Sequence, residues 1–258
     1  MIAFLGGVYI GRWRRVRQRH GTLAASGMRL ASYLGGLLAL GIALISPVDR
    51  LAEQAFTMHM VQHVLLLDIA PIGLICGLNK IILRPVTRRL QHVERKAGVL
   101  AHPVFAIFLY VSLMWLWHVP ALYDAALRHS FIHVFEHVCF FTAGVALWWP
   151  LIQPVPMRRR LSGLGILAYL LVAKISVGAL GIALTWSHGA TYSYYEHVPR
   201  IWGLTASSDQ NLGGAIMMVE QSLVLVIAFA VLFIRMLLQS EEDERRRERF
   251  EDAAAASR

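Results

Sequence analysis

The histidines of this chain are the residues whose type and spacing most clearly suggest chemistry. Imidazole is costly to place near a bilayer and is a common ligand for copper, zinc and haem iron. Eight of the eleven histidines fall at one end of predicted membrane helices, which the charge distribution described below makes the non-cytoplasmic end. This one-sided distribution predicts a metal site at that face of the membrane. The eight residues are His59, His63, His118, His129, His133, His137, His188 and His197.

Two predicted helices carry histidines in steps of four residues, at 59 and 63 and at 129, 133 and 137. Residues four apart lie on one face of an α-helix, so His59 and His63 can share one metal ion or bind two neighbouring ions, and the second series forms one helical stripe. A single histidine at a membrane interface is more often an anchor or a hydrogen-bonding residue, so the prediction depends on the whole set. His129 and His197 lie in or near loops, where contact with water is enough to explain a polar side chain. The predicted metal ligands are His59, His63, His118, His133, His137 and His188.

Thioether and carboxylate groups fall in the same half of the predicted membrane domain. Met217 and Met218 lie about two turns into the last span, and sulfur together with imidazole suits copper, especially Cu(I). Filling gaps in the packing is the alternative role for both methionines. Glu136 adjoins a histidine, so it is interpreted either as an acceptor that orients that histidine or as an interfacial charge facing solvent. The further polar residues predicted to be functional are Asp209 and Glu220.

Two charged residues lie deeper in the predicted spans. Asp68 is about 13 Å beyond His59 along its helix, and Lys174 is near the middle of another span. The two are predicted to neutralise each other, because an unpaired charge at that depth costs several kcal/mol. Passage of protons or ions through the membrane is the functional alternative.

The apolar stretches predict the architecture that positions these residues. The 258-residue chain is 57% hydrophobic with a mean hydropathy of +0.53, and its apolar blocks are long enough to cross a hydrocarbon core of about 30 Å. We predict an all-α integral membrane protein with a seven-helix transmembrane bundle in residues 1–240 and a charged cytoplasmic tail in residues 241–258. The first span, residues 1–10, is short. The six longer spans cover residues 28–47, 58–78, 103–119, 131–151, 161–186 and 212–238.

The distribution of basic residues predicts the orientation of the bundle. The segments 11–29, 79–102, 153–160 and 235–258 contain 21 of the 25 Lys and Arg residues. Short cytoplasmic loops are enriched in these residues, so the N-terminus is predicted outside and the C-terminus in the cytoplasm. We therefore attribute the net charge of +9 to loops that set the membrane topology and not to nucleic-acid binding. The two cysteines lie in apolar stretches and offer neither a disulfide framework nor a CxxC motif.

Four motifs occur in a recognisable order along the chain. They are HMVQH at residues 59–63, WHVP at 117–120 with Tyr123 and Asp124 after it, the histidine pair at 133 and 137, and DQNLGG at 209–214. Together they resemble the CtaG-like family of cytochrome c oxidase assembly factors, over residues 28–238. The resemblance implies a multi-pass protein of the bacterial inner membrane that is not an enzyme. It also implies that the protein helps to insert copper into a haem–copper oxidase, with an oxidase subunit and membrane lipid as partners.

The chain departs from the family pattern in its short first span and in Asp68, where an apolar residue is expected. Asp68 therefore leaves open that the chain belongs to a subgroup of this family with a different function. A separate single-span copper chaperone shares the CtaG name, but its cysteine pair is missing here, so a thiolate mechanism is not carried over.

Two other functions are compatible with histidine-rich spans. One is a membrane electron-transfer protein with haem held by paired histidines, although transmembrane di-haem proteins usually place such ligands near both faces. The other is a copper transporter, which needs a polar path through the bundle. Asp68, Lys174 and Glu220 are the ionisable residues available for such a path. The sequence gives no basis for predicting the oligomeric state.

Overall fold

The computed structural model describes residues 1–156, 161 and 164–256, and all regular structure in these ranges is helical. A π-helical segment, Leu65–Ile69, joins α4 to α5, and short 3-10 helices lie at Gly98–Ala101 and Ser193–Glu196. In chain order the α-helices are α1 (Ile2–Ala24), α2 (Gly27–Ile45), α3 (Pro47–Ala52), α4 (Phe56–Val64), α5 (Ala70–Cys76), α6 (Thr87–Ala97), α7 (Pro103–Trp117), α8 (Pro120–Arg128), α9 (Ser130–Ile152), α10 (Leu164–Thr185) and α11 (Ala206–Ala256).

Five helical segments of the described chain are long and apolar enough to cross a membrane, and they identify a multi-pass membrane protein. A sixth span results if Thr87–Ala101 and Pro103–Trp117, which are bent by 65° relative to each other, are counted as one. These six correspond in position to the six longer predicted spans. The total of seven spans and the orientation of the termini stay predictions. The five segments are Gly27–Ile45, Phe56–Cys76, Ser130–Ile152, Leu164–Thr185 and Ala206–Glu248.

Helix α1 differs from the short span predicted at the N-terminus. The prediction ended the helix near residue 10 and placed a basic loop after it, whereas α1 continues through the basic run to Ala24. Arginine is a good helix former, so the charges do not end the helix. Arg12 also finds partners across the bundle, because its guanidinium donates to the carbonyl oxygens of Ile81 and Ile82 at 2.9 and 3.0 Å. The helix is interrupted at Gly21, whose φ of 78° lies in the left-handed region.

Helix α9 packs closely against the π-helical segment that continues α4, and this contact positions the predicted metal ligands. The two segments meet at Gly144 of α9, where an added Cβ would collide with the carbonyl group of Leu67. A glycine is therefore required for the backbones to approach this closely. Buried aromatic and aliphatic side chains, among them Phe56, Phe140 and Leu147, fill the space around this contact.

Helix α11 continues through most of the segment predicted as a charged tail, as far as Ala256. Its first half packs against α10 at Gly181 and Gly214, where an added Cβ on Gly214 would lie 2.8 Å from the Gly181 carbonyl oxygen. The last two residues of the chain lie outside the described residues. The same holds for residues 157–160, which belong to the basic segment predicted at 153–160.

Candidate metal centre

Helices α4 and α9 bring four of the predicted ligands face to face. His59 and His63 lie on successive turns of α4, with ring centroids 4.3 Å apart. His133 and His137 lie on successive turns of α9, with ring centroids 4.2 Å apart. Across the contact, the rings of His59 and His133 are 5.4 Å apart and those of His63 and His137 are 6.5 Å apart. The steps of four residues in the sequence therefore form two facing rows of imidazoles.

Helix α7 contributes a fifth imidazole to this group. His118 follows the last turn of α7, and its ring centroid lies 5.9 Å from that of His63. The side chains of His59, His63 and His118 are almost completely buried, whereas the sequence placed them at the membrane interface. Burial arises because α8 and the Ser193–Glu196 segment fold over this end of the bundle and cover it with Tyr123 and Tyr195.

Glu136 lies at the centre of the imidazoles. Its Oε2 atom is 3.7 Å from Nε2 of His59, and its Oε1 atom is 3.7 Å from Nε2 of His63. The side chain has no exposed surface, so the interpretation of Glu136 as a solvent-facing charge is wrong. The carboxylate is one residue before His137 on α9, and the helix turns it towards α4. We call His59, His63, His118, His133, Glu136 and His137 the histidine–glutamate cluster.

The histidine–glutamate cluster contains an unusual concentration of buried polar atoms without a hydrogen-bond partner. They comprise Nε2 of all five histidines, Nδ1 of His63 and both carboxylate oxygens of Glu136. Leaving a single buried donor or acceptor unsatisfied costs about 1–3 kcal/mol, and most buried polar groups in proteins avoid this cost. Metal coordination would satisfy the lone pairs among these atoms. Two groups of three ligand atoms, His59–His133–Glu136 and His63–Glu136–His137, have the spacing to hold a metal ion.

Hydrogen bonds on the outer side of two imidazoles favour the tautomers that a metal site needs. Nδ1 of His118 lies 2.7 Å from the carbonyl oxygen of Met114, which can only accept. The proton is therefore on Nδ1, and the Nε2 lone pair points into the cluster. Nδ1 of His59 lies 3.3 Å from the hydroxyl of Tyr195. Because that hydroxyl donates to the carbonyl oxygen of Ala52 at 2.8 Å, it is an acceptor towards His59.

Two tyrosines are further functional candidates: the sequence analysis missed Tyr195 and named Tyr123 only as part of a family motif. Their hydroxyl oxygens are 3.3 Å apart, and both side chains are buried beside the ring of His59. Burial raises the pKa of the Tyr195 hydroxyl well above its usual value, so Tyr195 stays a neutral hydrogen-bonding residue. Tyr195 is separated from His59 by 136 positions, and no spacing rule connects two residues so far apart. The tyrosine-rich run at residues 192–195 was the only signal available in the sequence.

Three predicted site residues lie away from the cluster or show another role. His188 is exposed in the segment after α10, and the structure does not bring it to the other imidazoles. Asp209 caps α4, because its carboxylate accepts hydrogen bonds from the backbone N–H groups of Phe56 and Thr57 at 2.6 and 3.1 Å. It thus orients the helix that carries His59 and His63. Glu220 lies near Lys174, at an Oε1–Nζ distance of 3.7 Å.

The two methionines of α11 occupy different environments. Met217 is buried in the main apolar core and faces Gly181, with 3.2 Å between its Cβ and the Cβ position of that glycine. Met218 is half-buried. These positions agree with the packing role that was the alternative for both residues. A ligand role for Met217 and Met218 stays a prediction.

The predicted contact between Asp68 and Lys174 is present. Lys174 Nζ lies 2.6 Å from Asp68 Oδ1 and 3.0 Å from the hydroxyl of Tyr110. Trp148 donates its indole N–H to the same carboxylate oxygen at 2.7 Å. We call Asp68, Tyr110, Trp148, Lys174 and Glu220 the deep ion cluster. Its central carboxylate is held by two strong donors, which explains why a charge is tolerated inside the bundle.

Comparisons with known proteins agree with the motif order. A family model described as "Cytochrome c oxidase caa3 assembly factor (Caa3_CtaG)" matches residues 7–239. An uncharacterized protein of Mycobacterium leprae (strain TN) is 26% identical over 273 residues, which cover 98% of this chain and 40% of that protein. An uncharacterized protein of Mycobacterium bovis is 27% identical over 209 residues, which cover 73% of this chain and 31% of that protein. The chain thus spans less than half the length of these curated relatives. No solved structure matches it.

Proposed function

The chain belongs to the family of cytochrome c oxidase caa3 assembly factors, and we propose that it binds copper in the histidine–glutamate cluster and passes it to a subunit of a haem–copper oxidase. Copper is the cargo in this proposal, and the protein catalyses no reaction. The proposed location is the cytoplasmic membrane of a bacterium, with the cluster towards the outer side and lipid around the apolar helices.

The observation that carries the proposal is the set of buried nitrogen and oxygen atoms without partners in the cluster. Five imidazoles and one carboxylate are suitable ligands for Cu(II) or Zn(II), and copper binds most tightly among the common divalent metals. Imidazole and carboxylate are harder ligands than thioether. The donor set of the cluster therefore favours Cu(II) over the Cu(I) that a methionine-rich site would bind.

The position of Glu136 argues against haem between the facing histidines. A haem needs a flat space between its two axial imidazoles, but the carboxylate of Glu136 fills the space between the α4 and α9 rows. The deep ion cluster likewise gives little support to a copper transporter. Asp68 and Lys174 already neutralise each other at 2.6 Å, so a metal ion passing them would have to break this contact.

The test of the proposal is the double variant His59→Gln/His63→Gln. Glutamine preserves most of the side-chain volume, which limits the cavity that an alanine would leave in a buried site. We expect the variant to insert and fold but to retain no copper after purification in detergent, as measured by elemental analysis. Cells that carry it should assemble oxidase with normal haem content and reduced copper content.

The matched control is His129→Ala/His188→Ala, which removes the same number of imidazoles from exposed positions. This control should bind copper and support oxidase assembly like the parent protein. If His59→Gln/His63→Gln also binds copper like the parent and supports full oxidase activity, the cluster is structural and the proposal is wrong.

A further inference from the structure

The histidine–glutamate cluster contains more ligand atoms than one metal ion can bind. Imidazole nitrogen and carboxylate oxygen bind Zn²⁺ at 2.0–2.2 Å, so two ligands of one such ion lie no more than about 4.4 Å apart. In the described chain, ligand atoms that lie within 4.8 Å of one another, close to this limit, form two groups of three and not one group of five. His59 and His133 belong to one group, His63 and His137 belong to the other, and Glu136 belongs to both.

The carboxylate of Glu136 faces both groups with different oxygen atoms. Oε2 is the atom near His59 and Oε1 is the atom near His63, each at 3.7 Å from the corresponding Nε2. Both oxygens are buried and lack a hydrogen-bond partner. A carboxylate that presents one oxygen to each of two ligand groups has the geometry of a bridge between two ions. Metal ions in two-metal sites lie about 3.5–4 Å apart.

We propose that the cluster binds two metal ions bridged by the carboxylate of Glu136, one on the His59–His133 side and one on the His63–His137 side. This inference rests on the proposed function, since it requires that the cluster bind metal. It goes further in assigning the number of ions and a bridging role to Glu136.

The two sides of the proposed centre differ in the number of ligands. On the His63 side, we assign His118 as a fourth ligand: its ring lies 5.9 Å from that of His63 and its buried Nε2 has no partner, although this atom lies outside the group of three that already has ligand spacing. On the His59 side, the histidine and glutamate side chains provide three ligands. Metal sites with four protein ligands are closed, whereas sites with three keep a position open for exchange. The ion on the His59 side is therefore the one to be handed over.

A cavity provides access to the centre from outside the bundle. It has a volume of about 770 Å³ and is lined by His133 and His137 together with Asp49 and Glu53. Glu53 is exposed, so its carboxylate attracts cations at the mouth of the cavity. The cavity wall is otherwise largely apolar, which suits a route that opens towards a membrane-embedded partner.

The experiment is a metal titration of the full chain, purified in detergent, with Cu(II) and separately with Zn(II). After removal of excess metal, elemental analysis should give two ions per chain. Binding of no metal contradicts both the proposed function and the bridged centre. Binding of one ion contradicts only the bridged centre.

Electron paramagnetic resonance of the copper-loaded protein tests the bridge itself. Two Cu(II) ions joined by a carboxylate couple magnetically, so the parent should show fewer isolated Cu(II) spins than bound ions. In Glu136→Gln the bridge is lost, and all remaining copper should appear as isolated Cu(II). Glu241→Gln, which removes an exposed carboxylate of α11 outside the cluster and the cavity lining, should retain both ions and the coupled signal. Isolated spins equal to two bound ions in the parent would overturn the bridge.

Two single variants keep the inference testable even if Glu136→Gln fails to fold. His133→Gln should lose the ion on the His59 side, and His137→Gln should lose the ion on the His63 side, so each should bind one ion per chain. Of the two, His137→Gln should retain the ion that exchanges faster with a chelator. Two ions in both variants, or none in either, would contradict two separate positions.

Discussion

The histidine–glutamate cluster and the deep ion cluster share the membrane-spanning segment Phe56–Cys76, yet their central carboxylates differ in their partners. In the deep ion cluster, the Asp68 carboxylate lies 2.6 Å from an ammonium group and 2.7 Å from an indole donor. In the histidine–glutamate cluster, both oxygens of Glu136 and Nε2 of every histidine lack a partner. A buried carboxylate in this protein is therefore either paired with donors of the protein itself or left without them. The Asp68 carboxylate is neutralised within the protein, whereas the atoms around Glu136 are available to a cation, as the proposed function requires.

The largest effect is expected from removing the cation of the deep ion cluster. Lys174→Met removes the ammonium group that lies 2.6 Å from the buried Asp68 carboxylate and 3.7 Å from the half-buried Glu220 carboxylate. We expect a loss of about 3–5 kcal/mol in the free energy of unfolding, because breaking a buried ion pair strands the remaining charge. Denaturant unfolding in detergent measures this loss.

The matched double variant Asp68→Leu/Lys174→Met distinguishes charge stranding from lost packing. It removes both charges, so it should be more stable than Asp68→Leu alone. Equal or greater stability of the single Asp68→Leu variant would reject the pairing as the reason for the charge at this depth.

The second effect is stabilisation of the histidine–glutamate cluster by metal. At a free Cu(II) concentration 100 times the dissociation constant, binding to the folded state should add about 2.7 kcal/mol to stability. The thermal midpoint of the parent in detergent should rise accordingly, while that of His59→Gln/His63→Gln should not change. An equal rise in both proteins would locate the copper elsewhere.

A smaller effect is expected from the hydroxyl that orients His59. Tyr195→Phe removes the acceptor 3.3 Å from Nδ1 of His59 but leaves every proposed ligand in place. Loss of such an orienting partner typically weakens metal binding by about 10–100-fold. Competition with a chelator of known affinity measures the change. Tyr194→Phe, one residue earlier and half-exposed, is the control and should bind like the parent.

The smallest effect is expected from Glu136→Gln in the metal-free protein. A neutral amide replaces a buried carboxylate whose oxygens lack partners, so stability should stay the same or rise by up to roughly 1 kcal/mol. Asp68→Asn is the comparison. It replaces a carboxylate that has strong donors, so it should lower the free energy of unfolding. Comparable destabilisation by both changes would mean that Glu136 is satisfied within the metal-free protein.

Periodicity allowed part of the candidate site to be predicted from the sequence. His59 and His63, and His133 and His137, lie four residues apart, which places each pair on one helical face whatever the rest of the fold does. The depth of Asp68 and Lys174 likewise restricted their partners to each other, because an unpaired charge in an apolar bundle is too costly. His188 shows the limit of this reasoning. It has a suitable position at a span end, but the segment after α10 leaves it exposed.

The sequence by itself determined the apolar helices, the spacing of the histidines and the positions of the basic segments between the apolar stretches, because each is a local property of composition or helical repeat. Only the tertiary structure decided that Glu136 faces inward between two rows of imidazoles, that Asp209 caps α4 and that Tyr195 orients His59. These contacts join residues up to 153 positions apart. They depend on how closely the helices approach, as at Gly144 and Leu67, and on which segments fold over the end of the bundle. No local pattern encodes those distances.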